Sequence, residues 1–274
     1  MNALQWCSDR LLVPGHPLAA SLRFVPSPER ERVLALRALV SELAALDDPG
    51  VDGTVREARF GWWQQALVEG AEHPALRALA ESGAAEFVPP RHCLSLLDSI
   101  RTASANPRFE RSEELWAHCA AIGGEAAHLE LRLAQDSAPA PNPAVAVGAA
   151  GYLIRLVRDL GQDASNNRWL VPLDLQAQFQ VNRRDALDAR AGPGWDGLVR
   201  TLLDRAVRQG SAASVQLPPG CRHLPIYWAL ERRLAAQLAR RPAATLSRRV
   251  LPGHAGNVWT AWRAARRLTR ATKA

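Results

Sequence analysis

Asp159 and Asp163 stand four residues apart at the end of the run Gly148 to Asp163, which reads Gly-Ala-Ala-Gly-Tyr-Leu-Ile-Arg-Leu-Val-Arg-Asp-Leu-Gly-Gln-Asp. On a helix that spacing puts both carboxylates on one face, about one turn apart. Arg155 lies one turn earlier on the same face, and Arg158 adjoins Asp159. Two carboxylates so placed on an otherwise apolar helix can share Mg²⁺ ions with a bound diphosphate, because magnesium prefers carboxylate oxygens together with substrate phosphates. Arginines beside them can contact the same phosphate oxygens. Spacing alone favours a plainer arrangement, an i,i+4 ion pair between Arg155 and Asp159 at the exposed end of a core helix.

The elements that must carry these residues are helical. Apolar residues make up 47% of the 274, charged residues 22% and aromatics only 6%. Ala, Leu and Arg dominate, and all three sit at the good end of the helix scale. Pro26 to Glu29 opens the first strong helix, with Ser27 as N-cap and Pro28 at the first helical position. Val33, Leu36, Leu39, Val40 and Leu43 then recur at helical spacing until Asp47 to Gly50 stops the run. Further helices are predicted over 54–70, 74–83, 90–101, 112–134 and 144–160. Later ones follow over 182–190, 195–210, 224–239 and 256–271. Gly123-Gly124 inside the helix over 112–134 predicts a kink or a close helix contact. Residues 137–143, rich in Pro and Ala, predict a loop or linker. No repeat and no strand series is legible, so one helical domain over 1–274 is expected.

Downstream of the acidic pair comes Arg168-Trp-Leu-Val-Pro172. The whole run resembles the second aspartate-rich signature of the squalene/phytoene synthase family. That signature has an Asn, then Arg-Asp, a second Asp four residues after the first, and Gly-Arg-x-Tyr-x-Pro. Arg158, Asp159, Asp163, Arg168 and Pro172 match it; Arg155 stands at the Asn, Tyr152 at a usual Gln, Asn167 at the Gly and Leu170 at the Tyr. Ser21 to Pro26 with Arg32 and Leu36 to Ala38 is similar to the family's opening region. Trp62-Trp63 looks like its Leu-x-x-Trp-Trp helix, and Leu115 to Gly124 like its Tyr-x-x-x-x-Ala-Gly helix. The resemblance covers roughly residues 20 to 185.

It implies an all-α isoprenoid synthase fold, antiparallel helices around a central apolar cavity with acids at its mouth. It also implies binding of a prenyl diphosphate through Mg²⁺, and head-to-head joining of two such molecules. Asp159 and Asp163 would hold the metal, while Arg155, Arg158 and Arg168 neutralise the diphosphate. The family's first Asp-x-x-x-Asp motif is damaged. Ala44 stands at its first aspartate and Ser41 at the usual Arg, leaving Asp48 as a catalytic acid and Glu42 as the remnant of the opposite acidic wall. Glu42-Leu43-Ala44 also resembles a divergent branch that includes the mitochondrial complex I assembly factor type. A second expectation is therefore an inactive helper that keeps the fold and a lipid-sized cavity for work on a membrane complex.

The net charge of +7 comes almost wholly from arginine, and either a coding bias or an anionic partner would produce it. Nucleic acid is not expected, since charge is its only support. The basic amphipathic run from Trp259 to Arg270 could rest on an anionic membrane, although a solvated last helix with arginines near its C-terminal dipole is the plainer expectation. Four scattered cysteines, no signal peptide and no long apolar run predict a cytoplasmic protein with reduced thiols. Glu125 to His128 has di-metal spacing but no second such pair. Trp62, Trp63, Trp116, Trp228 and Trp259 fall in apolar helical patterns and are expected in the core.

Overall fold

The computed structural model describes residues 2–48, 50–105, 107–134, 143–247 and 249–271. Among them the secondary structure is entirely helical. The chain runs through α1 (Ala3–Leu11), α2 (Pro17–Leu22), α3 (Glu29–Ala44), α4 (Gly53–Glu69), α5 (Pro74–Glu81), α6 (Ala84–Phe87) and α7 (Leu94–Ser104). It continues through α8 (Ser112–Cys119), α9 (Glu125–Arg132), α10 (Pro143–Ser165), α11 (Leu173–Phe179) and α12 (Arg183–Leu187). Four more close it: α13 (Pro193–Ser214), α14 (His223–Arg240), α15 (Ala244–Ser247) and α16 (His254–Ala271). Of the predicted linker over 137–143, all but Pro143 lies outside the described residues.

Among the described residues two large apolar cores form, with a smaller third around Leu131 and Leu224. One gathers α1 to α7 with parts of α9, α14 and α16. The other gathers α10, α13 and the helices around them. Tyr152 of α10 packs against both, so α10 is the element on which the halves meet. Its inward face carries Val147, Ala150, Leu153, Ile154, Val157 and Ala164 at helical spacing, which is why it buries along its length.

Two glycine contacts set how closely α10 approaches its neighbours. A Cβ on Gly148 would lie 2.1 Å from the Gly123 carbonyl oxygen and 2.6 Å from Ala127 Cβ. The backbones can touch only because both positions lack a side chain, and there the 112–132 helix widens into a π turn, Ala120–Gly124. The expected distortion at Gly123-Gly124 is thus present. At Gly161, a Cβ would meet the Leu246 carbonyl oxygen at 2.4 Å, so α15 closes directly onto α10. That contact brings the segment after α15, with Arg249, to the acidic end of α10.

Several local expectations need correction. Pro28, not Ser27, occupies the N-cap of α3; the Ser27 hydroxyl instead donates to Glu31 at 2.9 Å. Trp63 and Trp228 are buried, but Trp62 and Trp259 are 46% and 57% exposed. Adjacent residues on a helix point about 100° apart, so only one of Trp62 and Trp63 can face the core. All four cysteines are buried and unpaired.

Candidate functional site

The inner face of α10 lines a mainly apolar cavity of about 190 Å³ with α3, α7, the π turn, α9 and α14. Val40, Ala44, Leu96, Ile100, Ile122 and Val147 form its walls. Charged groups border it at one side: Arg155 from α10, Glu231 from α14 and Arg37 from α3. Arg155 and Glu231 form an ion pair, so two otherwise costly charges offset one another at the edge of the apolar space. Burial opposes the charge on Arg155, but Glu231 outweighs it and holds the guanidinium above its ordinary value.

Beyond that pair lies a second chamber of about 400 Å³. Arg155, Tyr227 and Glu231 line both spaces and form the wall between them. Arg155, Arg158 and Arg249 line this outer chamber with His16 from the loop before α2, among apolar residues such as Leu230, Leu234 and Leu251. His16 Nδ1 accepts from the Leu18 amide at 3.2 Å and caps α2. Burial, and then Arg158, Arg155 and Arg249, lower its pKa, as a local positive field requires. Asn257 also lines this chamber; it is 1% exposed and neither atom of its amide has a hydrogen-bond partner. A buried amide left open in this way can accept or donate to a ligand.

Asp159 sits beside this chamber, on two arginines that line it. Arg158, 8% exposed, grips Asp159 through two bonds, Nε to Oδ1 at 2.8 Å and Nη2 to Oδ2 at 2.5 Å. Arg249 meets the same carboxylate at 3.1 Å. Asp47, in the turn after α3, pairs with Arg168. Burial pushes the Asp163 carboxyl up to about 6; Arg168 opposes the rise, and the charges of Asp159 and Asp47 add to it. Asp163 therefore feels the charges of both Asp159 and Asp47.

The squalene/phytoene synthase family pattern matches residues 14–254. The chain belongs to this family. Phytoene synthase of Thermus thermophilus is 29% identical over 185 residues, 64% of this chain and 63% of that protein. The 15-cis-phytoene synthase of Synechococcus elongatus is 27% identical over 40% of each chain. The aligned parts thus span less than two thirds of these relatives. A dehydrosqualene synthase crystallised with a ligand superposes with a TM-score of 0.84 at 17% identity, over 98% of this chain and 97% of that one. A squalene synthase from Alicyclobacillus acidocaldarius gives 0.70 at 22%, over 88% and 94%. The expected all-α isoprenoid synthase fold is the fold observed.

Within that fold, α10 brings Arg155, Arg158, Asp159 and Asp163 to one end of the helix, with Arg168 just beyond it. The simple Arg155–Asp159 pair is absent, because Arg155 turns to Glu231 and Asp159 to Arg158 and Arg249. On α3, Ala44 lines the cavity where the family carries an acid. Glu42 lies on another face of the helix, with Arg10 at 2.7 Å and His73 at 3.7 Å. Asp48 is exposed and its Oδ1 accepts from the Gly50 amide at 2.8 Å. The acid that reaches Arg168 is its neighbour, Asp47. Asp47, Glu231, His16, Arg249 and Asn257 all come to the site without a legible motif. Asp47 alone was within reach of sequence reasoning, as an acid next to the aligned Asp48.

The donors suit magnesium in one respect and not in another. Aspartate oxygens are the right ligands, but among the described residues no three acidic, histidine or cysteine side chains form a set that could hold a metal ion. One or two carboxylates plus phosphate oxygens is the usual magnesium arrangement. Asp159 and Asp163 would supply that many carboxylates, and Arg158 and Arg249 already hold Asp159.

Proposed function

We propose that this protein binds a prenyl diphosphate, with the anionic head in the outer chamber and the chain in the inner cavity, and acts on it as a prenyltransferase of isoprenoid biosynthesis. One observation carries the reading: a chamber that holds three arginines and an apolar one share the wall made by Arg155, Tyr227 and Glu231. A prenyl diphosphate has those two parts in that order. Arg155, Arg158 and Arg249 would take the phosphate oxygens, for which the planar guanidinium is well shaped. Asp159 and Asp163 would hold Mg²⁺, which when bound offsets diphosphate charge and eases its departure. Arg168 holds Asp47 beside them. The bond broken is between the allylic carbon and the bridging oxygen; its electron pair leaves with the diphosphate, and the apolar walls keep water from the allylic cation.

A second reading has its own observation. Ala44 supplies no oxygen at the cavity wall, and Asp159 is already held by two arginines. Both favour a protein that binds an isoprenoid, with or without diphosphate, and helps a membrane complex without turning it over.

The test is calorimetric titration of farnesyl and geranylgeranyl diphosphate into the folded protein, with Mg²⁺ or with chelator, followed by product analysis. Saturable binding lost in Arg158→Gln, with a prenylated product, supports the enzyme. Binding without product supports the helper. No binding of either compound overturns the enzyme and leaves the helper.

A further inference from the structure

The groove between α14 and α16 is a different kind of surface from the two chambers. Ala229, Arg232 and Arg233 of α14 face Trp259, Arg263 and Arg267 of α16 across about 450 Å³. No acidic residue lines it. Among the described residues none of these arginines has a carboxylate within ion-pair distance, whereas Arg37, Arg155, Arg158, Arg168 and Arg249 all do. Four arginines without an acidic partner thus line one groove together.

The groove is also built. A Cβ on Gly256 would lie 2.0 Å from Arg233 Nη2, so the absence of a side chain there is what lets Arg233 lie against α16. Arg233 Nε is buried without an acceptor, a cost that an incoming anion would relieve. On the rim, Trp259 is 57% exposed and stacks on Trp262 with ring centroids 4.8 Å apart. Arg266 covers the other indole at 4.9 Å. The inward face of α16 is taken by Asn257, Ala261 and Ala265, so its outward face is free to carry the charge.

We infer that the α14–α16 face docks on a membrane surface bearing anionic lipid headgroups. Guanidinium groups form paired hydrogen bonds with phosphates of any source, lipid headgroups included. One feature selects a bilayer over a soluble polyanion. An exposed indole gains at the boundary between headgroups and acyl chains and gains little against an acidic protein surface. The same arrangement would place a lipid surface beside the outer chamber, since Leu251, 68% exposed, lines that chamber in the segment leading into α16. No described helix is long and apolar enough to cross a membrane, so the contact is peripheral. This inference stands without the diphosphate reading.

The test is co-flotation of the full chain with vesicles of phosphatidylcholine alone and of phosphatidylcholine containing phosphatidylglycerol. Binding is expected only to the anionic vesicles and should fall steeply with added salt. Arg263→Glu with Arg267→Glu should weaken it by at least about tenfold, and Trp259→Ala should weaken it without changing its salt dependence. Both variants should keep the native circular dichroism and the affinity for prenyl diphosphate. A parallel titration with duplex DNA and polyglutamate completes the set. Equal binding to neutral vesicles, indifference to the double charge reversal, or tighter binding to either polyanion at the same ionic strength would overturn the inference.

Discussion

Asp47 and Arg168, 121 positions apart in the chain, form an ion pair that ties the turn after α3 to the segment leaving α10. Each side chain is only 16% exposed. Burial pushes the Asp47 carboxyl up, and Arg168 pulls it down. The pair thus fixes the distance between the two walls of the site at the cost of partial desolvation.

Replacing one partner should therefore hurt more than replacing both. Arg168→Leu leaves Asp47 half-buried and unmatched, which should cost about 1–3 kcal/mol. Adding Asp47→Ala to it should recover part of that loss. Urea denaturation of the two single variants and the double variant gives the coupling directly. Strictly additive losses would mean that the pair is not formed in solution.

Asp163 predicts a pH dependence of unusual sign. Its carboxyl titrates near 6 in the fold, above the usual aspartate value of about 3.9. Between those values the folded state holds a proton that the unfolded state has released, so stability falls as pH rises through this window. Asp163→Asn should abolish that decline, and the difference between the two proteins in denaturant midpoint should open from pH 4 and level off above pH 6. Magnesium-dependent ligand binding should run the opposite way and strengthen above pH 6, because only the ionised carboxylate is a ligand. A flat difference curve would place Asp163 in an ordinary solvated setting.

How much of this was legible in the sequence depends on whether an interaction is local. The long helices were readable because their apolar residues repeat every three or four positions, and the acids of α10 because they lie on one such helix. The short α2 and α15 were not, since each depends on what it packs against: α2 on a His16 cap, α15 on bare backbone at Gly161. Ion-pair partners were the least legible. Arg155 meets a glutamate 76 positions away and Arg249 an aspartate 90 positions away. Nothing in the spacing of either arginine says which acid it will meet. The choice of Asp48 over Asp47 turned on which way the chain bends after α3.

The closeness of α10 to the π turn makes Gly148 the tightest test of the packing. Alanine there must push back the Gly123 carbonyl, a backbone atom with no alternative rotamer. Overpacking of this kind should cost about 3 kcal/mol, and the strain falls on the helix that carries Tyr152 and Arg155 to the cavity wall. The thermal midpoint of Gly148→Ala should drop by several degrees, about 2–4 °C for each kcal/mol. By contrast Gly61→Ala, where a Cβ meets nothing within 4 Å, should leave it unchanged or raise it.

Glu231 competes with any anionic ligand for Arg155. With the pair intact, a diphosphate must draw the guanidinium away from a carboxylate that is 5% exposed. Glu231→Gln removes the competing charge and keeps the shape, so inorganic pyrophosphate and a prenyl diphosphate should both bind severalfold more tightly. Arg155→Gln should do the reverse, by about tenfold or more, which is the loss of one charge-assisted hydrogen bond. The two variants should also separate head from tail: a neutral prenyl alcohol should respond to neither through charge. Titration of these three ligands into both variants measures the effect. If Glu231→Gln leaves the pyrophosphate affinity where it was, Arg155 does not face the ligand and the wall between the chambers is structural alone.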